Sequence, residues 1–239
     1  MPDSNDEILG KIIDLLADLP ADARGEVKLP TERVLAADLG IQRQTVRERL
    51  STLETLGFIK RRQGKGTHLT LARSSVMRLY FEIALKLGSV NVDEMQGAME
   101  MIVREAAATA AISASAENVR LLAAAIEEGA SDTSLDALVR SQFDFLSLLV
   151  RASGNPVVVL LFEGIALVVH EVLRRRLRML PMLDGAVARN LESRRYVVEA
   201  IQNREPDSAR AAVEEYFWQW RREAAKVSSL SYSELTEEE

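Results

Sequence analysis

Gly40-Ile41-Gln42-Arg43-Gln44-Thr45-Val46-Arg47-Glu48-Arg49-Leu50-Ser51-Thr52-Leu53 is the stretch on which the fold turns. Val46, Leu50 and Leu53 recur at i, i+4 and i+7, the spacing of one buried helix face. Arg43 and Arg47, one turn apart, then share the opposite, solvent-facing side. Gly40 breaks the chain before this helix and Gly57 stops it. Upstream, Thr31 suits the N-cap of a helix of about two turns, Glu32 suits its first turn, and Leu35 and Leu39 face inward. Further back, Ile8, Ile12, Leu15, Leu16 and Leu19 predict an amphipathic helix over 7–19, broken by Pro20, Asp22 and Gly25. Downstream, Phe58–Arg62 and Thr67–Leu71 predict two strands around Gln63-Gly64-Lys65-Gly66, a hairpin with glycine where a tight turn needs positive φ. Short helices on either side of Gly40 followed by such a hairpin predict a winged helix-turn-helix.

Past Leu71 only helical periodicity remains. Apolar-periodic segments cover 74–88, 92–114, 116–129, 132–153, 156–180, 184–204 and 207–228, parted by Gly88, Gly129, Gly154, Pro181 and Pro206. Long helices with short loops imply an antiparallel bundle. The expected fold class is mainly α: an N-terminal winged helix-turn-helix domain with a small β-hairpin over 1–72, and a C-terminal antiparallel α-helical bundle over 73–230. The acidic tail 231–239 is expected to be disordered.

Composition removes several function classes. The 239 residues hold no Cys, which excludes disulfides, thiolate zinc sites, iron–sulfur clusters and a cysteine nucleophile. Only His68 and His170 are available for imidazole chemistry. No apolar run nears the roughly 18 residues needed to cross a bilayer, and the acidic N-terminus is unlike a signal peptide. A cytoplasmic protein is expected. The net charge is −6, yet residues 41–68 carry seven Lys or Arg against Glu48 and Glu54. A basic segment inside an acidic chain is a candidate footprint for a polyanion.

In a winged helix-turn-helix the second helix of the pair enters the DNA major groove, N-terminal residues nearest the bases. Arg43 and Arg47 have the reach for guanine N7/O6 or phosphates, and Gln44 and Thr45 offer shorter polar contacts. Lys60, Arg61, Arg62 and Lys65 charge the wing, where Gly64 and Gly66 permit close backbone approach. Set against this, such charges also keep a helix face solvated and an edge hairpin soluble. His68 is expected on the wing, solvated or near a phosphate, and His170 in the core or at a pocket edge. Trp218 and Trp220 read as core. No Ser-His-Asp order, phosphate loop or dinucleotide fingerprint appears, so nothing specifies an enzyme.

Leu29–Ala36, Gly40–Leu50, Leu53–Ile59 and Arg62–Thr67 together resemble the GntR family of bacterial transcription regulators. The resemblance implies operator contact for Arg33, Arg43, Thr45, Arg47 and Gly64. Two positions depart from the family pattern. Gln42 stands where Ser or Thr is usual, which removes a good N-cap, and Arg49 replaces a small residue and adds a candidate phosphate contact. The bundle is similar to the FadR-like effector domain (FCD type) of that family, on Phe143–Pro156, Glu199-Ala200-Ile201 and Ala209. Many such domains hold a divalent metal through an Asp and three His. The positions that match them here are Gln142, Leu146, Arg194 and Tyr216, so no metal and no cofactor is expected. Arg194 takes the charge a metal would have brought to an acid, with Tyr216 as donor, Gln142 nearby and Arg104 as a weaker second cation.

The expected function is a ligand-responsive, sequence-specific DNA-binding regulator, a repressor of a metabolic operon. It would bind a pseudo-palindromic operator in double-stranded DNA as a homodimer, with an organic acid or acyl-CoA as effector and no membrane partner. The alternative is a small-molecule-binding or catalytic helical domain whose N-terminal unit serves oligomerisation.

Overall fold

The computed structural model describes residues 5–22, 26–70, 74–131, 134–177 and 185–234. The chain divides into two compact units, Met1–Val76 and Met77–Glu239.

The first unit opens with α1 (Asn5–Ala17), α2 (Glu32–Leu39) and α3 (Arg43–Thr55), followed by β1 (Ile59–Arg62) and β2 (Gly66–Leu69). Thr31 caps α2, its side chain accepting from the Val34 amide at 3.4 Å, and Gly40 ends the helix in the left-handed region at φ 65°. Gln42 sits at the N-cap of α3 in extended conformation but forms no side-chain cap. Ile12, Leu16, Leu29, Leu35, Val46, Leu50, Leu53 and Ile59 close one core. The strands pair antiparallel with Ile59 opposite Leu69 and Arg62 opposite Gly66, shorter at each outer end than the sequence suggests. A third extended segment was not apparent from the sequence. The Leu29 amide donates to the Thr67 carbonyl and the Leu69 amide to the Val27 carbonyl, both at 2.8 Å, laying 27–29 along β2.

The second unit holds α4 (Ser75–Lys86), which begins at its edge, then α5 (Val92–Ser113), α6 (Ala116–Ser131), α7 (Leu135–Ala152), α8 (Pro156–Leu177), α9 (Ala186–Gln202) and α10 (Pro206–Glu234). Asn91 and Glu94 form a reciprocal capping box at the start of α5, each bond 2.9 Å. This helix, lined by Val103, Ala106, Ala107, Ala110 and Ala111, packs against α7, α8, α9 and α10. Its alanines let four neighbours approach closely. Helix α10 continues to Glu234, four residues into the stretch expected as a disordered tail. Residues 235–239, the 178–184 stretch with its Pro181 break, and the 71–73 boundary lie outside the described residues.

Candidate nucleic-acid interface and buried polar cluster

The first turn of α2 places Glu32 where the N-terminal half of α3 and strand β1 converge. Its carboxylate accepts from Arg47 Nη2 at 3.1 Å and Nε at 3.2 Å, and from Arg43 Nε at 3.4 Å. Arg61 Nη1 from β1 lies 3.6 Å away. Hydrogen bonding to Arg47 holds the Glu32 carboxyl below its usual range and raises Arg47 in turn. Arg61 is tied further, to Glu54, through its Nε at 3.0 Å and its backbone amide at 3.3 Å. Arg62 Nη1 donates to both carboxylate oxygens of Glu26, at 2.8 and 3.0 Å. The wing is therefore less freely cationic than its composition suggests. Arg33, Lys60 and Lys65 are exposed and, among the described residues, make no ion pair. Gln44 donates to Glu48 at 3.1 Å, while Thr45 is half-buried. Arg49 is half-buried too.

Gly64 and Gly66, at φ 72° and 92°, turn the hairpin so that Lys65 stands at its tip. His68 departs from expectation. It is 8% exposed, with Nε2 3.2 Å from the Lys65 carbonyl and Nδ1 3.5 Å from Glu26. Pairing of β2 with both β1 and the 27–29 segment buries it in a small sheet.

The second unit buries a different kind of cluster. Arg194 on α9 has no exposed surface. Its Nη1 donates to Ser141 Oγ on α7 at 2.7 Å and its guanidinium lies 5.5 Å from the Phe145 ring centroid. Nε and Nη2 make no well-formed hydrogen bond among the described residues, and the Tyr216 phenol lies close enough to feel the guanidinium. Tyr216 on α10 is 2% exposed and its hydroxyl makes no well-formed hydrogen bond. Burial pushes its phenol up, while the nearby Arg194 charge pulls it down. Gln142 Oε1 on α7 and Asn190 Oδ1 on α9 are likewise unpartnered. Beside Tyr216 and Asn190 lies a recess of about 190 Å³, lined also by Leu138, Ser193, Trp218 and Trp220. Trp218 is 46% exposed, so it belongs to the recess wall and not to the core. Arg104 sits half-buried on α5, its Nε 3.7 Å from the exposed Glu105 and without a well-formed hydrogen bond among the described residues. His170 packs on Phe143, ring centroids 5.1 Å apart.

Three buried polar side chains, Arg194, Gln142 and Tyr216, and the half-buried Asn190 thus carry unused hydrogen-bonding groups on three helices, a set that a folded protein rarely tolerates without a ligand. The set does not suit a metal. An amide, the apolar Leu146, a guanidinium and a phenol supply no anionic or imidazole donor, and the guanidinium repels a cation. Among the described residues no group of three His, Asp or Glu is placed to hold an ion.

A helix pair with a charged wing, joined to a bundle with a buried polar cluster, is the plan of a one-component bacterial regulator. Residues 19–69 match the family described as bacterial regulatory proteins, gntR family, and residues 94–217 match the FCD domain. The chain belongs to the GntR family of transcription regulators, in the group that carries an FCD domain. It is 25% identical over 203 residues to the HTH-type transcriptional regulator YcbG of Bacillus subtilis, covering 85% of this chain and 82% of that one. It is 27% identical over 192 residues to the HTH-type transcriptional regulator Mce2R of Mycobacterium tuberculosis, covering 78% of each. Among solved structures, Streptococcus agalactiae GntR superposes with a TM-score of 0.71 at 21% identity, over 91% of this chain and 99% of that one. McbR/YncC of Escherichia coli superposes at 0.51 and 13% identity, over 97% and 100%. These two structures share the fold.

Proposed function

We propose that this regulator represses a metabolic operon from the cytoplasm and that a small organic acid, held at Arg194, switches its grip on DNA. The observation that carries the effector assignment is a fully buried guanidinium whose Nε and Nη2 make no well-formed hydrogen bond and which has no ion pair among the described residues. A buried, unpaired charge is costly unless a partner arrives. Nε–H and the adjacent Nη2–H form one straight edge, the geometry that takes a carboxylate through two parallel bonds. Tyr216 and Gln142 add polar groups around the acid. A recess of about 190 Å³ opens on Tyr216, without Arg194 or Gln142 in its lining, and it is below the roughly 300–1,000 Å³ usual for drug-sized ligands. That favours a compact acid over an acyl-CoA. On the DNA side, Arg33, Arg43, Gln44, Thr45 and Arg47 face the duplex with the Gly64–Lys65 wing tip, and a twofold dimer reads a pseudo-palindrome.

Gel shifts on the upstream DNA of its own gene, with and without candidate acids, test the switch. A sequence-specific complex should form and change with one acid. That acid should raise the melting temperature by linkage, and Arg194→Ala should abolish the rise while still binding DNA. Failure to form any specific complex would reject operator recognition. An unchanged thermal response in the variant would reject the role of Arg194.

A further inference from the structure

An acid in the middle of a DNA-binding face needs a reason, because phosphate repels it. Glu32 has such a position: its side chain is 17% exposed and meets guanidiniums from two elements other than its own. Its contacts are also unequal. Arg47 spends its Nε–Nη2 edge on the carboxylate, whereas Arg43 spends only Nε. Arg43, with a side chain 62% exposed, has no hydrogen bond from either terminal nitrogen among the described residues, which leaves both for another partner. That terminal fork is what bidentate recognition of guanine N7 and O6 requires. Arg47 is left with terminal donors suited to a single phosphate contact.

We propose that Glu32 is the specificity-determining positioning residue of this interface. It orients Arg43 as the base reader, assigns Arg47 and Arg61 to the backbone, and withholds part of their charge from indiscriminate phosphate binding. Non-specific affinity comes almost wholly from neutralising phosphates. A carboxylate shared among three guanidiniums therefore weakens binding to any DNA, while the fixed fork preserves binding to the right DNA. Specificity is the difference between the two.

The inference rests on operator recognition, and the test separates the two. An operator duplex selected from random-sequence DNA and a scrambled duplex of equal length are titrated by fluorescence anisotropy at several salt concentrations. E32Q should bind the scrambled duplex about threefold more tightly at low salt, with the log–log salt slope steeper by about one. Operator affinity should fall about threefold, so the operator-to-scrambled ratio drops about tenfold. E32D keeps the charge but not the reach, and should lower the ratio without steepening the slope. D38N removes the same charge from an exposed position on α2 and should leave the ratio unchanged. Failure of the wild type to select any operator would reject the reading beneath this one. With the wild type specific, an E32Q ratio within about twofold of wild type, or an equal fall in D38N, would overturn the role of Glu32. Should E32Q melt below the assay temperature, a wild-type ratio in E32D would overturn it as well.

Discussion

A single missing methyl group governs the buried cation. A Cβ at Gly129 on α6 would collide with the Ser141 hydroxyl and lie 3.2 Å from Ser141 Cβ. Ser141 provides the one hydrogen bond found for the Arg194 guanidinium among the described residues. Alanine is intrinsically the better helix residue by roughly 1 kcal/mol, so propensity alone would have Gly129→Ala stabilise the protein. The collision should reverse that sign: Ser141 swings away, Arg194 loses its acceptor, and a buried unpaired charge costs more than the propensity gains. Thermal melts should show a lower midpoint for Gly129→Ala and a weakened response to the effector; a raised midpoint would refute the coupling. Arg194 and Tyr216 could be picked out of the sequence one by one, but Gly129 and Ser141 could not, because their roles exist only once three helices meet. Glu32 was legible as a first-turn acid and no more, for the same reason. Its depressed carboxyl pKa predicts a pH dependence. A group whose folded pKa lies below its unfolded value stabilises the fold above the unfolded pKa and loses that contribution as acid titrates the folded state. The stability gap between wild type and Glu32→Gln should therefore be full near about pH 7 and close on acidification towards about pH 3. A gap independent of pH would show that Glu32 contributes only by its shape.

At the scale of elements, helix periodicity carried most of the fold. The alternation of apolar residues located each bundle helix to within a few positions, since a buried stripe depends only on local spacing. Pairing between distant segments carries no such local signal, which is why the strand at 27–29 and the burial of His68 emerged only from the structure. Helix α3 shows what a local departure does. Gln42 caps nothing, so the amides at its N-terminus are left for water, or for a phosphate in a DNA complex. Gln42→Ser should supply the missing acceptor and stabilise the first unit by about 1 kcal/mol, read as a higher urea midpoint with an unchanged slope. No shift would mean that solvent already satisfies those amides at no cost. The same helix and the wing should differ in what they contribute to binding. Arg43→Ala should cost about 1–3 kcal/mol on the operator and relax its sequence preference. Lys65→Ala, at the tip of the hairpin, should weaken all DNA alike and flatten the salt dependence. Equal losses on operator and scrambled DNA for both variants would reduce Arg43 to a phosphate contact.

For the whole molecule, the decisive feature is that the buried apolar side chains among the described residues fall into two clusters with no residue in common. One is closed by eight buried side chains between Ile12 and Ile59. The other runs from Met95 to Phe217 through α5 to α10. Cooperativity in unfolding follows shared burial, so two self-contained cores make two cooperative units and break two-state behaviour for the chain as a whole. The smaller unit is the weaker, because a domain of fewer than about 80 residues buries a smaller fraction of its surface. Scanning calorimetry should therefore resolve two transitions, or one broad envelope whose calorimetric enthalpy exceeds its van't Hoff enthalpy. Each ligand should then act on its own unit: an organic acid bound at Arg194 moves the transition of the helical unit, and operator DNA moves that of the winged unit. If the acid also displaces the winged unit's transition, the difference measures the coupling free energy that a ligand-controlled regulator requires. A single transition with equal enthalpies would show that the two units fold as one, and the separation into two cores would then have no thermodynamic meaning.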